Sequence, residues 1–305
     1  MIKSKITILI IALTILVPNV SNALIMPKDG NDLADMTGIN AKAYIVKDLK
    51  SGEILISKNE NLPWIPASLT KLVTALVVLD TKTKLNKTVA ITKGDQIKGA
   101  CASGGACIKA KPGVKFTVDA LFHAALLPSA NNATHALARS TGLTPKQFAD
   151  KMNEKAKSLG AINSHFNEPT GLDTDNIITA SDYTFVVEAA FKHPYLRKIA
   201  GLSKYYLRST NNSKYNQTIK NTDKLLADSE IKVLGAKTGY LTESGYNFGS
   251  LVKFHNSQEL VVIVLGEKHL YSAFAETKQL MALAEVAKAI ALVNSSLVLG
   301  MSTQP

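Results

Sequence analysis

Strand-like apolar segments at 43–46 and again at 53–57, on either side of Leu49-Lys50-Ser51-Gly52, predict a β-hairpin. At Pro66-Ala67-Ser68 the pattern changes to that of an apolar helix reaching Leu79, and further helices are predicted at 118–127, 132–140, 145–159 and 181–191. Strand-like alternation returns at 204–208, 232–237, 246–254 and 260–265, followed by a long apolar helix over 272–293. Strands at both ends with helices between them predict a mixed α/β fold of the α+β kind. Its mostly antiparallel sheet is flanked by helices, with a helical subdomain contributed by the middle of the chain.

The first residues read differently. Lys3 and Lys5 precede an uncharged, mostly apolar run over 6–17, then Pro18, then the small residues of Ser21-Asn22-Ala23. This predicts a signal peptide over 1–23, because the apolar run is shorter than the roughly 20 residues of a spanning helix. No cysteine follows it, so no lipid anchor is expected. The remainder, 24–305, contains no linker or repeat and is expected to form one domain with its core over about 36–293. Residues 295–305 carry no basic amphipathic pattern, so no stable membrane anchor is expected, and a monomer is the default.

Composition narrows the partner. The 305 residues include 35 Lys+Arg against 24 Asp+Glu, a net charge of +11, with 46% apolar and 19% charged residues. These values exclude disordered, collagen-like and disulfide-scaffold classes. The lysines are dispersed, without the aromatic-interleaved basic block of a nucleic-acid binder. For an exported protein, periplasmic or associated with the cell wall, the positive charge suits anionic wall polymers. Outside the cytoplasm Cys101 and Cys107 are expected to form a local disulfide across a flexible loop. The six histidines show no metal-ligand spacing, and no metal or organic cofactor is implied.

Three short motifs carry candidate chemistry. Ser68-Leu-Thr-Lys71 places a hydroxyl and an amine three positions apart at a helix start, on one face, where the amine can serve as the hydroxyl's base if burial and a second cation depress its pKa. The same spacing recurs at Ser229–Lys232 and Ser250–Lys253, so alone it says little. Ser129-Ala-Asn131 lies between two helices and also fits ordinary helix capping. Lys237-Thr-Gly239 occurs once, at the end of a strand-like run, where Gly239 leaves room for a ligand against the strand edge.

In this order the three motifs resemble the S-x-x-K, S-x-N, K-T-G set of β-lactamases and penicillin-binding proteins. Pro66-Ala-Ser-Leu-Thr-Lys71, Lys111-Pro-Gly113, His165-Phe166 with Pro169-Thr-Gly-Leu172, and Ala236-Lys-Thr-Gly-Tyr240 resemble the D-alanyl-D-alanine carboxypeptidase and endopeptidase family, over roughly 36–293. The resemblance implies a β-lactamase/transpeptidase-like fold. It also implies serine acyl transfer on peptidoglycan stem peptides, with β-lactam antibiotics as covalent inhibitors. By the same resemblance Ser68 is the nucleophile, Lys71 its base, Ser129 a proton relay, and Asn131 a ligand of Lys71 and of the substrate amide. Lys237 keeps the field positive, Thr238 binds the terminal carboxylate, and the amides of Ser68 and Tyr240 form the oxyanion hole.

Two features depart from the family. Lys220-Asn-Thr222 stands where many members carry arginine, which implies looser recognition of a carboxylate near Thr238. The second, β-rich domain and amphipathic anchor of the best-known carboxypeptidases have no counterpart before Pro305, as in the shorter branch, whose members are often endopeptidases. Exo and endo cleavage both stay open. Glu168, between the second and third motifs, keeps a β-lactamase reading in play, although Ala130 replaces the Asp of S-D-N. A non-catalytic β-lactam or peptidoglycan sensor would need a broken motif, and none is broken.

Overall fold

The computed structural model describes residues 31, 34–35, 38–96, 101, 106–253 and 258–301, with only the backbone of 292–301. The expected signal peptide over 1–23 lies outside the described residues.

The sheet has five strands: β1 (Ala43–Asp48), β2 (Ile54–Lys58), β7 (Lys232–Leu241), β8 (Gly245–Lys253) and β9 (Glu259–Glu267). Their order is β2-β1-β9-β8-β7, every neighbouring pair antiparallel, so strands from the two ends of the chain meet at β1 and β9. The centre of β9 is an unbroken apolar run because both its faces are covered. Val261, Ile263 and Leu265 join one core while Leu260, Val262 and Val264 join the other, the period-2 division of a doubly covered strand.

Helices cover both faces. On the first lie α1 (Lys71–Asp80), α2 (Val118–Leu126), α3 (Asn131–Arg139), α4 (Pro145–Leu159), α5 (Ala180–Lys192) and α6 (Pro194–Ala200). α1 is buried all round, from Lys71 through Val78, so even its opening lysine is drawn into the interior. α4 shows the opposite pattern: only Phe148, Met152 and Ala156, four residues apart, are buried. A capping box of Thr144 and Gln147 starts this helix, and Gly160 at φ 98° ends it. On the second face lies α7 (Leu270–Met301), with Phe274, Leu280 and Met281 packed against β-strand residues.

The α+β architecture therefore agrees with the hydrophobic pattern. Three-residue strands β3 (Thr88–Ala90) and β4 (Lys115–Thr117), and the ribbon β5 (Lys204–Leu207) with β6 (Gln217–Lys220), are too short to show a period, and of these only β5 was expected. β7 was expected to stop at Lys237. It continues to Leu241, paired with β8 throughout, so Lys237-Thr238-Gly239 lies within the strand.

Behind the sheet, the carboxylate of Glu276 accepts the amides of Asn40 (2.7 Å) and Ala41 (3.1 Å) and faces Glu267. Burial and the Glu276 charge push the Glu267 carboxyl up to about 7. The folded protein therefore holds this proton more tightly than the unfolded chain, and stability falls as pH rises from the ordinary carboxyl range through about 7. Glu267→Gln is expected to raise the melting temperature at alkaline pH by roughly 2–4 °C and to leave it unchanged in mild acid, read by thermal melts at both pH values.

Candidate active site

The turn before α1 sets the site. Residues Ala67–Thr70 form a single 3-10 turn, entered through Ala67 at φ 49°, a left-handed conformation that costs a residue with a side chain about 1 kcal/mol or more. Neighbouring groups hold it there. Buried Asn247 of β8 donates to the Ile65 carbonyl (3.0 Å), while its own oxygen accepts from Trp64 Nε1 (3.2 Å) and from the Gly266 amide (3.0 Å). The Tyr183 hydroxyl from α5 donates to the Leu69 carbonyl. Ser68, at the centre of the turn, keeps partial exposure.

Lys71 follows one turn later, 1% exposed. Its Nζ donates to Ser68 Oγ (2.7 Å), Asn131 Oδ1 (2.8 Å) and the Thr170 carbonyl (2.6 Å). Three acceptors satisfy the ammonium's donors, yet burial brings its pKa down to about 7, partly offset by the Glu168 carboxylate.

Ser129 is not a helix cap. Its φ of 64° turns the chain sharply before α3, whose N-cap is Ala130, and its hydroxyl accepts from Lys237 Nζ at 2.9 Å. Asn131, the first residue of α3, faces Lys71. The Ala106 carbonyl accepts the Asn131 amide (2.7 Å), and Asn132 exchanges two hydrogen bonds with the Ile108 backbone, 3.0 and 2.9 Å. Cys101 and Cys107 form a disulfide in that same supporting segment.

β7, an edge strand, closes the third side. Lys237, 1% exposed, donates to Ser129 Oγ and to the Thr238 carbonyl (2.8 Å). Burial and the neighbouring Lys71 push its pKa well down, while Asp223 opposes the shift. Two ammonium groups in one buried site repel, which disfavours charging both at once. Gly239 lies against the Ser68 turn: a Cβ there would sit 2.8 Å from the Pro66 carbonyl oxygen and 3.2 Å from the Ser68 amide nitrogen. Tyr240, 51% exposed, stacks on Tyr246 with ring centroids 4.3 Å apart.

The structure thus gathers Ser68, Lys71, Ser129, Asn131, Lys237, Thr238 and Gly239 at one site. Lys220, at the end of β6, is exposed and makes none of the hydrogen bonds that tie the site together. Thr222 is the residue of that segment that reaches Thr238, Oγ1 to Oγ1 at 2.6 Å. Asp223 beside it is also buried. Its Oδ2 has no hydrogen-bond partner among the described residues, and burial raises its carboxyl to about 6.

Glu168 is occupied rather than free. Its carboxylate accepts from the Thr170 amide (2.8 Å) and hydroxyl (2.6 Å), the Gly171 and Leu172 amides, and Asn176 Nδ2 (3.2 Å). His165, exposed and bonded to Asn167, pairs its backbone with Ile177. His135 on α3 lies within electrostatic reach of Glu168 and Lys71, and burial lowers its pKa. It belongs to no motif that would have marked it.

The chemistry available is acyl transfer. A partly exposed hydroxyl lies beside a lysine that can lose its proton near neutrality, next to a second lysine and a close-approach strand edge.

Comparison with known proteins gives the same family throughout. The family described as D-alanyl-D-alanine carboxypeptidase matches residues 31–269. A D-alanyl-D-alanine endopeptidase of Haemophilus influenzae is 33% identical over 77% of this chain and 77% of its own. The D-alanyl-D-alanine carboxypeptidase DacF of Bacillus subtilis is 30% identical over 77% of this chain, which spans 60% of that longer protein. Among solved structures, a variant of a Streptomyces DD-transpeptidase superposes with a TM-score of 0.75 at 26% identity, covering 82% of this chain and 99% of that one.

Proposed function

The chain belongs to the D-alanyl-D-alanine carboxypeptidase family, and from that premise we propose that it is a serine carboxypeptidase trimming the D-alanyl-D-alanine end of peptidoglycan stem peptides. The carrying observation is the hydrogen bond from buried Lys71 to Ser68, with the Lys237–Ser129 hydrogen bond beside it. In the proposed reaction neutral Lys71 takes the Ser68 proton as Oγ attacks the penultimate carbonyl. The oxyanion is held by the amides of Ser68 and Tyr240. Ser129 gives its proton to the leaving D-alanine amine and is reprotonated by the Lys71 ammonium, so the C–N bond breaks to leave an acyl-Ser68 ester with Lys71 neutral again. Water, deprotonated in turn by Lys71, releases the shortened peptide.

With Lys71 neutral, repulsion on Lys237 is relieved, and Lys237 carries the site's positive charge towards the substrate carboxylate that Thr238 binds. Asn131 positions Lys71 through Oδ1 and leaves Nδ2 to donate to the substrate amide carbonyl. A β-lactam would acylate Ser68 by the same attack. The proposed protein is exported by its 1–23 signal peptide to the periplasm or cell wall, with 24–305 as one acyltransferase domain.

Endopeptidase cleavage of cross-links is the second reading, favoured by the Haemophilus relative's name and its equal coverage of both chains. A defined pentapeptide and a cross-linked muropeptide dimer, incubated separately with the protein and analysed by mass, distinguish the two. Loss of one D-alanine from the pentapeptide supports the carboxypeptidase, and conversion of dimer to monomers alone supports the endopeptidase. If neither substrate changes, the proposal fails.

A further inference from the structure

Glu168 is the most heavily hydrogen-bonded carboxylate near the site, and the acyl-transfer scheme above gives it no task. Its bonds all serve one short segment. The Thr170, Gly171 and Leu172 amides converge on its two oxygens, which forces the backbone over 170–172 to curl around the carboxylate. Three other contacts press the curled segment against the start of α1. Thr74 Oγ1 donates to the Pro169 carbonyl (2.7 Å), Asn176 Nδ2 bridges Glu168 and Thr70 Oγ1 (3.3 Å), and Gly171 lies directly on the Ala67 carbonyl. The result is that the Thr170 carbonyl points inward, onto Lys71 Nζ at 2.6 Å.

We propose that Glu168 is a positioning residue of the acyl-transfer site, whose carboxylate curls the 168–172 segment so that the Thr170 carbonyl holds the Lys71 amine beside Ser68. The inference rests on the reading of Lys71 as the base. It differs from the task a β-lactamase gives a glutamate at this point in the chain, where the carboxylate activates a water for deacylation. Here both oxygens are already engaged by amides and a hydroxyl.

Charge adds to position. Lys71 at the start of α1 and His135 on α3 interact electrostatically with Glu168, His135 also with Asp95 and Arg139, and Lys71 in turn with Lys237 of β7. Glu168 favours the protonated amine, so removing its charge lowers the pH at which Lys71 becomes a free base. A glutamine at 168 keeps the size but replaces one oxygen by a donor, which cannot accept the amides on that side.

The test is the rate of Ser68 acylation by fluorescent penicillin, followed across about pH 5 to 9 for the wild type and Glu168→Gln, with melting curves to establish folding. The expected result is a plateau rate lowered about 10- to 100-fold, with the rising limb moved to lower pH by about one unit. A plateau within about twofold of the wild type, or a limb that does not move, would overturn the inference. Unchanged acylation with slowed release of the label would overturn it too, by making Glu168 the deacylating base. If Glu168→Gln does not fold, Thr170→Val removes one donor to the same carboxylate and keeps its charge. It should lower the plateau about threefold or more with the limb in place, and an unchanged plateau would count against the inference. No labelling of the wild type at any pH would remove the acyl-transfer reading itself, and this inference with it.

Discussion

Lys71→Arg is expected to lower the acylation rate of Ser68 by about 10²- to 10⁴-fold, although it preserves the positive charge. The reason is acid–base, not electrostatic attraction. Burial brings Lys71 down to about 7, so near neutral pH a large share of the protein holds a neutral amine 2.7 Å from Ser68 Oγ. A guanidinium does not lose its proton in this range and cannot accept another. Lys71→Met, which keeps the unbranched stem, should fall equally far. In the wild type the rate should rise through about pH 7 as Lys71 loses its proton, the direction required of a base whose neutral form works. Stopped-time labelling with fluorescent penicillin checks all three. A Lys71→Arg protein that folds and acylates at more than about a tenth of the wild-type rate would contradict the assignment.

Gly171→Ala is expected to destabilise the protein by at least about 3 kcal/mol and to abolish labelling. Two independent costs meet there. The backbone has φ 84°, which an alanine adopts only under strain, and a Cβ would lie 1.7 Å from the Ala67 carbonyl oxygen and 2.8 Å from Thr70 Oγ1. The colliding oxygen belongs to the backbone of the nucleophile turn, which Asn247 and Tyr183 hold in place, so no side-chain rotation relieves the clash. Either the 168–172 segment or the Ser68 turn must move. Urea unfolding and penicillin labelling together check this, and a Gly171→Ala protein as stable and as reactive as the wild type would show that the segment does not bear on Ser68 as described.

Much of this was legible in the sequence, for identifiable reasons. β1, β9 and the buried helix α1 announce themselves because each is a continuous apolar run whose length and bounding turn residues fit a strand or a helix. The three motifs are legible because their order along the chain is as informative as their composition. What escaped is what depends on contacts distant in sequence. The extent of β7 beyond Lys237 is set by its pairing with β8, residue against residue to Leu241, and Thr238 and Gly239 by themselves read as a turn. Thr222 touches Thr238 across 16 residues, and nothing in Lys220-Asn221-Thr222 says which of the three faces inward. Ser129 reads as a helix cap until its φ of 64° and its bond to Lys237 are seen. Glu168 is the sharpest case: its position in the chain suggests a base for water, while its surroundings make it the organiser of a backbone segment.

The central claim is that Ser68 forms a covalent acyl intermediate from a D-alanyl-D-alanine substrate. Rapid acid quenching during turnover, followed by intact-protein mass and peptide mapping, tests it most directly. The account predicts an adduct equal to the substrate's acyl part, mapped to Ser68, with free D-alanine or the cross-link amine released in step and no adduct in Ser68→Ala. Product formation by a Ser68→Ala protein at the wild-type rate, with no adduct on either protein, would contradict it.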